Sequence, residues 1–510
     1  MKGPKESCRV NCGEARRNFR KGRRPVAAWL LLSAALALSG CGDPSRFETG
    51  PVAAVPAAKP VRPAAQSPAA EREHERILAT YGGAYDDPKL ETLISGIVDR
   101  LVAASDRPDL AYKVTILNSG AVNAFALPTG QLYVTRGLIA LATDTSELSS
   151  VLSHEMAHVL AKHAAIREDQ ARQAALVARV VTDMGNDPGM TALALAKTKL
   201  SMASFSRQQE LEADGIGIGI SARAQFDPYG AARFLTAMER NAALKASRGT
   251  SDGRTDFLSS HPATPERVAN AQNNARQYTA PQGGWRGERG ERDREAYLNA
   301  IDNLVYGEDP SEGFVRGRRF LHPKLGFTFQ VPDSFTLDNT AQAVIGLREG
   351  GNQAMRFDVV RVPAEQSLAD YLNSGWMENV DKSSTEELTV NGFPAASVTA
   401  RGEQWQFRVY ALRFGSDVYR FIFATRQRTA ESDRNARDTV NSFRRLSLDE
   451  IQAARPLRIK VITVQPGDTV ESLSHRMSGV DRPLDRFRVL NGLDAHAQVK
   501  PRELVKIVVD

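Results

Sequence analysis

The sequence predicts a multidomain α+β protein: a mainly helical first domain with a small edge hairpin, then an α+β sandwich, then a small βααβ module. Three observations lead to this expectation. The chain has 510 residues, more than one hydrophobic core usually serves. Apolar residues recur at helical spacing in the first half, whereas strand-like alternating runs dominate from Leu325 onward. Segments rich in Ala and Pro, or in Gly and charged residues, separate these regions as linkers do.

These composition changes give the expected boundaries. They are 1–40 for a leader, 41–70 for an Ala/Pro-rich tether, 71–280 for the helical domain, 281–314 for a charged linker and helix, 315–448 for the sandwich and 460–510 for the terminal module.

The charge of the chain is concentrated at its start. The formal net charge is +6, and residues 1–40 hold nine Lys or Arg against two acidic residues. The rest of the chain is close to neutral, which argues against a nucleic-acid partner.

An apolar run, Val26–Leu38, follows the basic residues and is too short to span a bilayer comfortably. It has the length of a secretory h-region and leads into Leu38-Ser39-Gly40-Cys41, which resembles the lipobox of bacterial lipoproteins. The resemblance implies lipidation of Cys41 and a periplasmic protein, and Gly42 after it favours sorting to the outer membrane. An ordinary cleaved signal or an uncleaved anchor is the alternative.

The stretch 151–165, VLSHEMAHVLAKHAA, is expected to form one helix, since it contains neither Gly nor Pro. His154 and His158 are four residues apart and so lie on one face, where both imidazoles can hold one zinc ion. Glu155 can then take a proton from a water activated by that metal, as in metalloproteases. A chance pair of histidines on a buried helix is the alternative. His163 lies on the wrong face of such a helix and is interpreted as a surface residue, with a metal role as the alternative.

Two short strands precede this helix. We expect a strand at Asn123–Ala126, a turn at Pro128-Thr129-Gly130 and an antiparallel partner at Leu132–Thr135. A proline at the end of the first strand suggests a sheet edge, where an extended substrate could pair with Asn123, Ala124, Phe125 and Ala126. A plain structural hairpin is the alternative.

A second helical stretch, SFSRQQELEADGIG, supplies carboxylates. Glu210, Ala213, Asp214 and Gly217 form one stripe, whose small residues would allow close packing on another helix. Glu210 is the candidate third metal ligand, and Asp214 could accept a hydrogen bond from the outer nitrogen of a ligand histidine. Glu212 points away from this stripe and is expected to be solvated.

HEMAH, the preceding NAFALPTG hairpin and the following SRQQELEAD together resemble the M48 family of zinc metallopeptidases, over roughly residues 71–280. The resemblance implies a zincin-type domain that binds one Zn²⁺ per chain. A downstream His-Pro segment, SHPATPERV, also resembles the family and would bring its histidine near the zinc, to gate the site or steady an oxyanion. From the residues alone, a histidine before a proline is a loop residue, and that is the alternative for His261. The resemblance implies that His154, His158 and Glu210 are the metal ligands and that Glu155 and His261 are the catalytic residues. It also implies that Asp214 hydrogen-bonds to one of the ligand histidines.

The sandwich region contains strand-like runs at 325–331 and 354–362, a hairpin turning at Gly415-Ser416, and helices at 368–372 and 431–446. It resembles the PsbP/Mog1-type domain, and without a set of catalytic residues it is assigned a binding or positioning role. Its histidine, His322, is interpreted as structural.

The terminal module resembles LysM, a module that binds N-acetylglucosamine-containing glycans. Gly467-Asp468-Thr469 and Asn491-Gly492-Leu493 match its two loops, whereas Arg502 and the long stretch 478–485 depart from the pattern. The resemblance implies peptidoglycan as a partner, with a protein-interaction remnant as the alternative.

Together these features predict a zinc endopeptidase, lipid-anchored in the periplasm, that acts on misfolded or unassembled envelope proteins. The alternative is a non-catalytic or cell-wall-directed lipoprotein that binds peptidoglycan through its LysM-like end.

Overall fold

The computed structural model describes residues 67–169, 172, 205–246, 257–279 and 290–510. The leader with Cys41, most of the tether and most of the segment after Asp169 lie outside the described residues. Within the described ranges, no helix combines the length and the apolar composition needed to cross a bilayer.

Helices and a three-stranded sheet form the first part of the chain. In chain order the elements are α1 (Pro68–Thr80), α2 (Pro88–Ala104), β1 (Lys113–Leu117), β2 (Ala124–Ala126), β3 (Gln131–Thr135), α3 (Arg136–Leu141), α4 (Thr145–Leu160), α5 (Arg207–Arg223), α6 (Gly230–Ala246), α7 (Phe257–Ser260), α8 (Pro265–Thr279) and α9 (Arg294–Ile301). Helix α1 begins at Pro68 because Ser67 caps it by accepting from Ala70 N at 3.3 Å. It therefore starts inside the segment that composition assigns to the tether.

The small sheet has the order β1-β3-β2, with β1 parallel and β2 antiparallel to β3. The predicted hairpin is confirmed, and β2 is an edge strand of this sheet.

Helices α4 and α5 pack closely because a glycine lies between them. A Cβ added at Gly217 would come within 2.9 Å of the backbone nitrogen of His154. No larger residue fits this crossing without separating the helices. The small-residue stripe that the sequence places on α5 is thus at the contact with the HEMAH helix.

Two antiparallel sheets and short helices make up the second part. Its elements are β4 (Phe314–Arg316), β5 (Arg319–His322), β6 (Phe327–Gln330), β7 (Phe335–Asn339), β8 (Val344–Arg348), β9 (Gln353–Val360), α10 (Leu368–Leu372), β10 (Val380–Val390), β11 (Phe393–Arg401), β12 (Gln406–Phe414), β13 (Asp417–Thr425), α11 (Ala430–Asn441), β14 (Arg444–Arg445) and α12 (Leu448–Ala453). The strand orders are β10-β11-β12-β13-β9-β8-β7 and β14-β6-β5-β4. The predicted hairpin at Gly415-Ser416 joins β12 to β13.

Helix α11 is shorter than its sequence pattern predicts. It ends at Asn441, and residues 444–445 pair with β6 instead of continuing the helix to Leu446. Two contacts hold the chain after Asn441 against β6 and end the helix. The Ser442 hydroxyl accepts from Gln330 N at 2.8 Å, and Phe443 is buried against Phe327. Core packing therefore overrides the local helical preference.

The last part has the predicted βααβ order: β15 (Arg458–Thr463), α13 (Val470–Ser474), α14 (Pro483–Leu490) and β16 (Leu504–Val509), with the two strands antiparallel. Its apolar side chains share one hydrophobic core with the helical part, in which Leu490 and Ile507 belong to the same cluster as Leu141. The chain after α9 also pairs with β15, since Ile459 N donates to Leu304 O at 2.9 Å.

Lys506 reinforces this contact from the centre of β16. Its buried Nζ donates to the carbonyls of Ala140, Leu141 and Ala142 at 2.7, 3.2 and 2.7 Å, at the C-terminal end of α3. An ammonium group there satisfies carbonyls that have no helical partner and complements the helix dipole. Burial still lowers the pKa of Lys506 well below its usual value. The architecture as a whole confirms the predicted multidomain α+β class with a helical N-terminal region and a large antiparallel sheet.

Candidate metal centre

The HEMAH motif lies near the C-terminal end of α4, a helix whose start is fixed by charge. Asp144 caps it, accepting from Glu147 N at 2.9 Å, and its carboxylate also pairs with Arg233 at 3.3 Å and Arg292 at 2.8 Å. These contacts set where the helix begins. His154, Glu155 and His158 are all buried.

Helix α5 carries the carboxylate that the sequence singles out. A capping box between Ser206 and Gln209 fixes its first turn, immediately before Glu210. Glu210 is buried and faces the two histidines of α4. The first turn of α5 thus places the Glu210 carboxylate next to the two histidines of the HEMAH motif.

A third segment contributes His261, just after α7. Its backbone N donates to Phe257 O at 2.8 Å and its ring stacks on that of Phe257 with centroids 4.4 Å apart. His261 is buried, and its Nδ1 lies 2.9 Å from Glu210 Oε1. The histidine of the His-Pro segment is therefore part of the same cluster.

The four side chains place their ligand atoms within 4.8 Å of one another. The Nε2 atoms of His154 and His158 are 3.1 Å apart, and His154 Nε2 is 3.4 Å from His261 Nδ1. Glu210 oxygens lie 3.5 Å from His154 Nε2 and 3.6 Å from His158 Nε2.

These separations fit a zinc ion. At metal–ligand bonds of about 2.0–2.1 Å, the corners of a tetrahedron lie roughly 3.3–3.4 Å apart. Three imidazole nitrogens with one carboxylate are also a donor set that zinc favours.

Glu155 projects beside the cluster without joining it. Its Oε1 is buried with no hydrogen-bond partner among the described residues, and His261 Nε2 lies 3.7 Å from it. A buried carboxylate oxygen without a hydrogen-bond partner is energetically costly, so its position beside the cluster points to a chemical role. Burial raises the pKa of this carboxyl group, which makes it a better proton acceptor.

A salt-bridge network supports the cluster from the side of α5. Asp214 Oδ1 lies 2.9 Å from His154 Nδ1, the outer nitrogen of that ring. Arg267 reaches Asp214 with Nε and Nη2, both at 2.7 Å, and Glu210 Oε2 with Nη1 at 2.7 Å. All three charged groups are buried, so each depends on the others for compensation.

The protonation of the two motif histidines differs. Burial disfavours charge on both rings, but Asp214 and Glu210 outweigh it at His154 and raise its pKa to about 9. At His158, burial and the neighbouring His154 lower the pKa well below its usual range. His158 therefore presents a free lone pair, whereas a metal has to displace a proton from His154.

His163 contradicts its interpretation as a surface residue. Helix α4 ends at Leu160 instead of running to Ala165, and Lys162 adopts a left-handed φ of 56°. This turn brings His163 back to the motif, where it is buried with Nδ1 3.0 Å from His158 Nδ1. No pattern in the sequence predicts this turn, because lysine has no preference for a positive φ.

Glu212 is exposed and lies away from the cluster, as the sequence predicts. Its side chain is 52% exposed, and Oε2 also lies 3.4 Å from His163 Nε2.

The edge strand runs next to these residues. Backbone Phe257 N, at the start of the short helix α7 that precedes His261, donates at 2.8 Å to Val122 O, two residues before β2. Asn123 is buried and its side-chain amide donates to the Tyr81 hydroxyl at 2.9 Å, while Phe125 stacks on Tyr133 at 4.9 Å. Of the four predicted substrate-strand residues, Ala124, Phe125 and Ala126 are in β2 and Asn123 precedes it.

A helix with a His-Glu-x-x-His motif, packed on a second helix that adds a buried carboxylate, is typical of metal-dependent peptidases. Comparison with known proteins agrees. Residues 88–275 match the model of peptidase family M48, the same family that the sequence motifs resemble.

Relatives with known names share part of this chain. It is 33% identical over 201 residues to the beta-barrel assembly-enhancing protease of Escherichia coli, covering 38% of this chain and 40% of that protein. It is 29% identical over 100 residues to the mitochondrial metalloendopeptidase OMA1 of Schizosaccharomyces pombe, covering 19% of this chain and 29% of that protein. The chain thus spans well under half the length of these relatives.

Among solved structures, cyanobacterial PsbP from Synechocystis aligns with 26% of this chain and 94% of its own, at 11% identity and a TM-score of 0.20. A likeness this slight supports no conclusion, and the PsbP/Mog1 and LysM resemblances stay predictions.

Proposed function

We propose that this chain is a zinc-dependent endopeptidase that cleaves unfolded or unassembled proteins of the bacterial envelope. The observation that carries the proposal is the buried cluster of His154, His158, Glu210 and His261 beside Glu155, whose Oε1 is buried without a hydrogen-bond partner among the described residues. The match to peptidase family M48 over residues 88–275 supports the same activity.

The proposed roles follow from the geometry. His154, His158 and Glu210 hold the zinc ion, with Asp214 orienting His154 through its outer nitrogen. When bound, zinc polarises the substrate carbonyl and makes a nearby water molecule more acidic. Glu155 accepts the proton of the attacking water at Oε1 and can return it to the leaving amide nitrogen.

His261 is the group that must respond to substrate. Its Nδ1 takes the fourth corner of the cluster, and its Nε2 lies near Glu155. We assign it a gating role in the free protein: it fills the position that a substrate or water needs in a catalytic zinc site.

The substrate is proposed to bind as an extended strand along β2. This edge strand has a free pairing side within the described residues, and the segment before it is hydrogen-bonded to the turn that carries His261. Main-chain pairing at such an edge requires an unfolded or flexible segment rather than a folded one. The name of the Escherichia coli relative, which refers to beta-barrel assembly, is consistent with substrates of the envelope.

The cellular location is part of the proposal and depends on the lipobox-like sequence at Cys41. A Cys41→Ser variant that remains in the membrane fraction would contradict a lipid anchor.

The alternative, a wall-binding protein without activity, has less support. One of the two LysM-like loops contacts the helical part, although Gly492 itself is exposed: a Cβ at Gly492 would lie 3.6 Å from Thr143 Cγ2, and Arg240 donates to Leu493 O at 3.4 Å and pairs with Asp494. A glycan would have to share that loop with the peptidase part.

The direct test is cleavage of an unfolded protein, such as reduced and alkylated lactalbumin, by the purified full chain. We expect cleavage to stop when a chelator removes the metal and to return when zinc is restored, because Glu155 alone cannot activate water sufficiently. The same substrate in its folded, disulfide-bonded form serves as the control and should resist cleavage. Activity that persists without metal would contradict the proposal.

The ligand set makes a separate prediction. Glu210→Gln should lower the zinc content of the purified protein, because it removes the anionic ligand, whereas His261→Ala should leave about one zinc ion per chain. Zinc content is measured by elemental analysis after dialysis. Equal losses in the two variants would contradict the assignment of three permanent ligands and one gating residue.

A further inference from the structure

A chain of polar contacts leads from the metal cluster to the surface through His158. The ring of His158 points Nε2 into the cluster, 3.1 Å from His154 Nε2, and points Nδ1 the other way, 3.0 Å from His163 Nδ1. His163 Nε2 in turn lies 3.4 Å from Glu212 Oε2. His163 is buried, and Glu212 is half-exposed.

The positions of the protons in this chain are constrained. A carboxylate accepts only, so the contact with Glu212 requires the hydrogen of a neutral His163 to be on Nε2. His163 Nδ1 is then an acceptor, and the hydrogen between the two Nδ1 atoms must belong to His158. With its hydrogen on Nδ1, His158 has its lone pair on Nε2, facing the cluster.

The opposite tautomer would oppose metal binding. If His163 donated its hydrogen from Nδ1, His158 Nδ1 would have to accept it, and the hydrogen of His158 would then be on Nε2. That hydrogen would point at the centre of the four-residue cluster, where a metal ion would bind. Glu212 and His163 exclude this arrangement, and they do so without contacting the metal position.

From this geometry we infer that His163 and Glu212 are positioning residues for His158: they fix the tautomer in which its Nε2 can bind metal. Both ligand histidines of α4 are then oriented from α5, His154 directly by Asp214 and His158 by Glu212 through His163. The inference rests on the proposed function, because it takes His158 as a metal ligand.

Two substitutions at His163 separate a hydrogen bond from simple packing. Phenylalanine keeps the ring and its apolar surroundings but removes the acceptor, whereas asparagine loses most of the ring and retains an acceptor oxygen close to the position of Nδ1. We expect His163→Phe to raise the zinc dissociation constant of the full chain about 10- to 100-fold, as loss of such an outer partner does. His163→Asn should stay close to the native value.

The measurement is competition for zinc between the protein and a fluorescent chelator, with the thermal unfolding midpoint of the metal-free protein recorded beside it. A packing role predicts the reverse order, with the phenylalanine variant native-like and the asparagine variant impaired. That order, or equal affinities in the two variants, would overturn the inference.

Glu212 gives a second test that does not disturb buried packing. Glu212→Ala should weaken zinc binding, Glu212→Gln should retain it because the amide oxygen still accepts from His163, and Gln208→Ala, an exposed change on the same helix, should have no effect. If Glu212→Ala binds zinc as the native chain does, the inference fails while the proposed function stands. A native chain that binds no zinc would overturn both.

Discussion

Replacing Glu155 by Gln should reduce the turnover of an unfolded protein substrate by about 10²- to 10⁴-fold, the range usual for loss of a general acid–base group. Glutamine has nearly the same shape but cannot accept a proton. Zinc binding should be retained, because Glu155 is outside the four-residue cluster. Burial raises the pKa of the Glu155 carboxyl group, so removing its charge should not destabilise the fold.

The measurement is steady-state cleavage together with zinc content and the unfolding midpoint of the same preparations. Glu91→Gln, an exposed glutamate on α2, is the matched control and should behave as the native chain does. Native activity in the Glu155→Gln variant would rule out this residue as the base. A loss of zinc with the loss of activity would indicate a ligand or structural role instead.

Replacing Arg267 by Met should lower the free energy of unfolding of the metal-free protein by about 3–5 kcal/mol, the cost of removing one partner of a buried ion pair. Arg267 is buried and compensates two buried carboxylates, Asp214 and Glu210. It also donates to Pro262 O at 3.1 Å, next to His261. Methionine would fill much of the volume but leave both carboxylates without the guanidinium, so that His154 would be the basic partner that both still share.

Urea-induced unfolding, with and without saturating zinc, measures this effect. The loss should be smaller with zinc, because the ion supplies positive charge to Glu210 in place of the missing guanidinium. Arg276→Met is the control: this arginine is on the same helix, is exposed and donates to the exposed side chain of Asn273, so its replacement should change stability by no more than about 0.5 kcal/mol. Equal effects of the two substitutions would contradict the role of Arg267.

Much of the site is predictable from the sequence because it depends on helical spacing. Four residues are slightly more than one turn, so His154 and His158 must share a face wherever the helix packs. The same geometry places Glu210, Asp214 and Gly217 on one stripe, and the structure puts that stripe against the HEMAH helix. The edge hairpin follows in the same way from its alternation and its turn residues.

Other parts of the site depend on contacts between segments far apart in the chain. His261 is 107 residues from His154, and its approach to the cluster is set by the turn after α7 and its stacking on Phe257. The sequence resemblance proposed this approach; spacing alone could not. Arg267 is in the same His-Pro segment of the sequence. Its ion pairs with Glu210 and Asp214, however, form only because α8 packs against α5.

The sequence by itself determined the secondary structure around HEMAH, the face on which its histidines lie and the acidic stripe of the second helix, because periodicity is a local property of the chain. Only the tertiary structure decided where α4 stops, since the left-handed turn at Lys162 that returns His163 to His158 is not a preference of lysine. Tertiary packing also decided that the terminal module shares its core with the helical part and places Lys506 under the end of α3. A hydrophobic pattern predicts which face of a helix or strand is buried. Which other element packs on that face depends on the complementary shape and charge of segments far away in the chain.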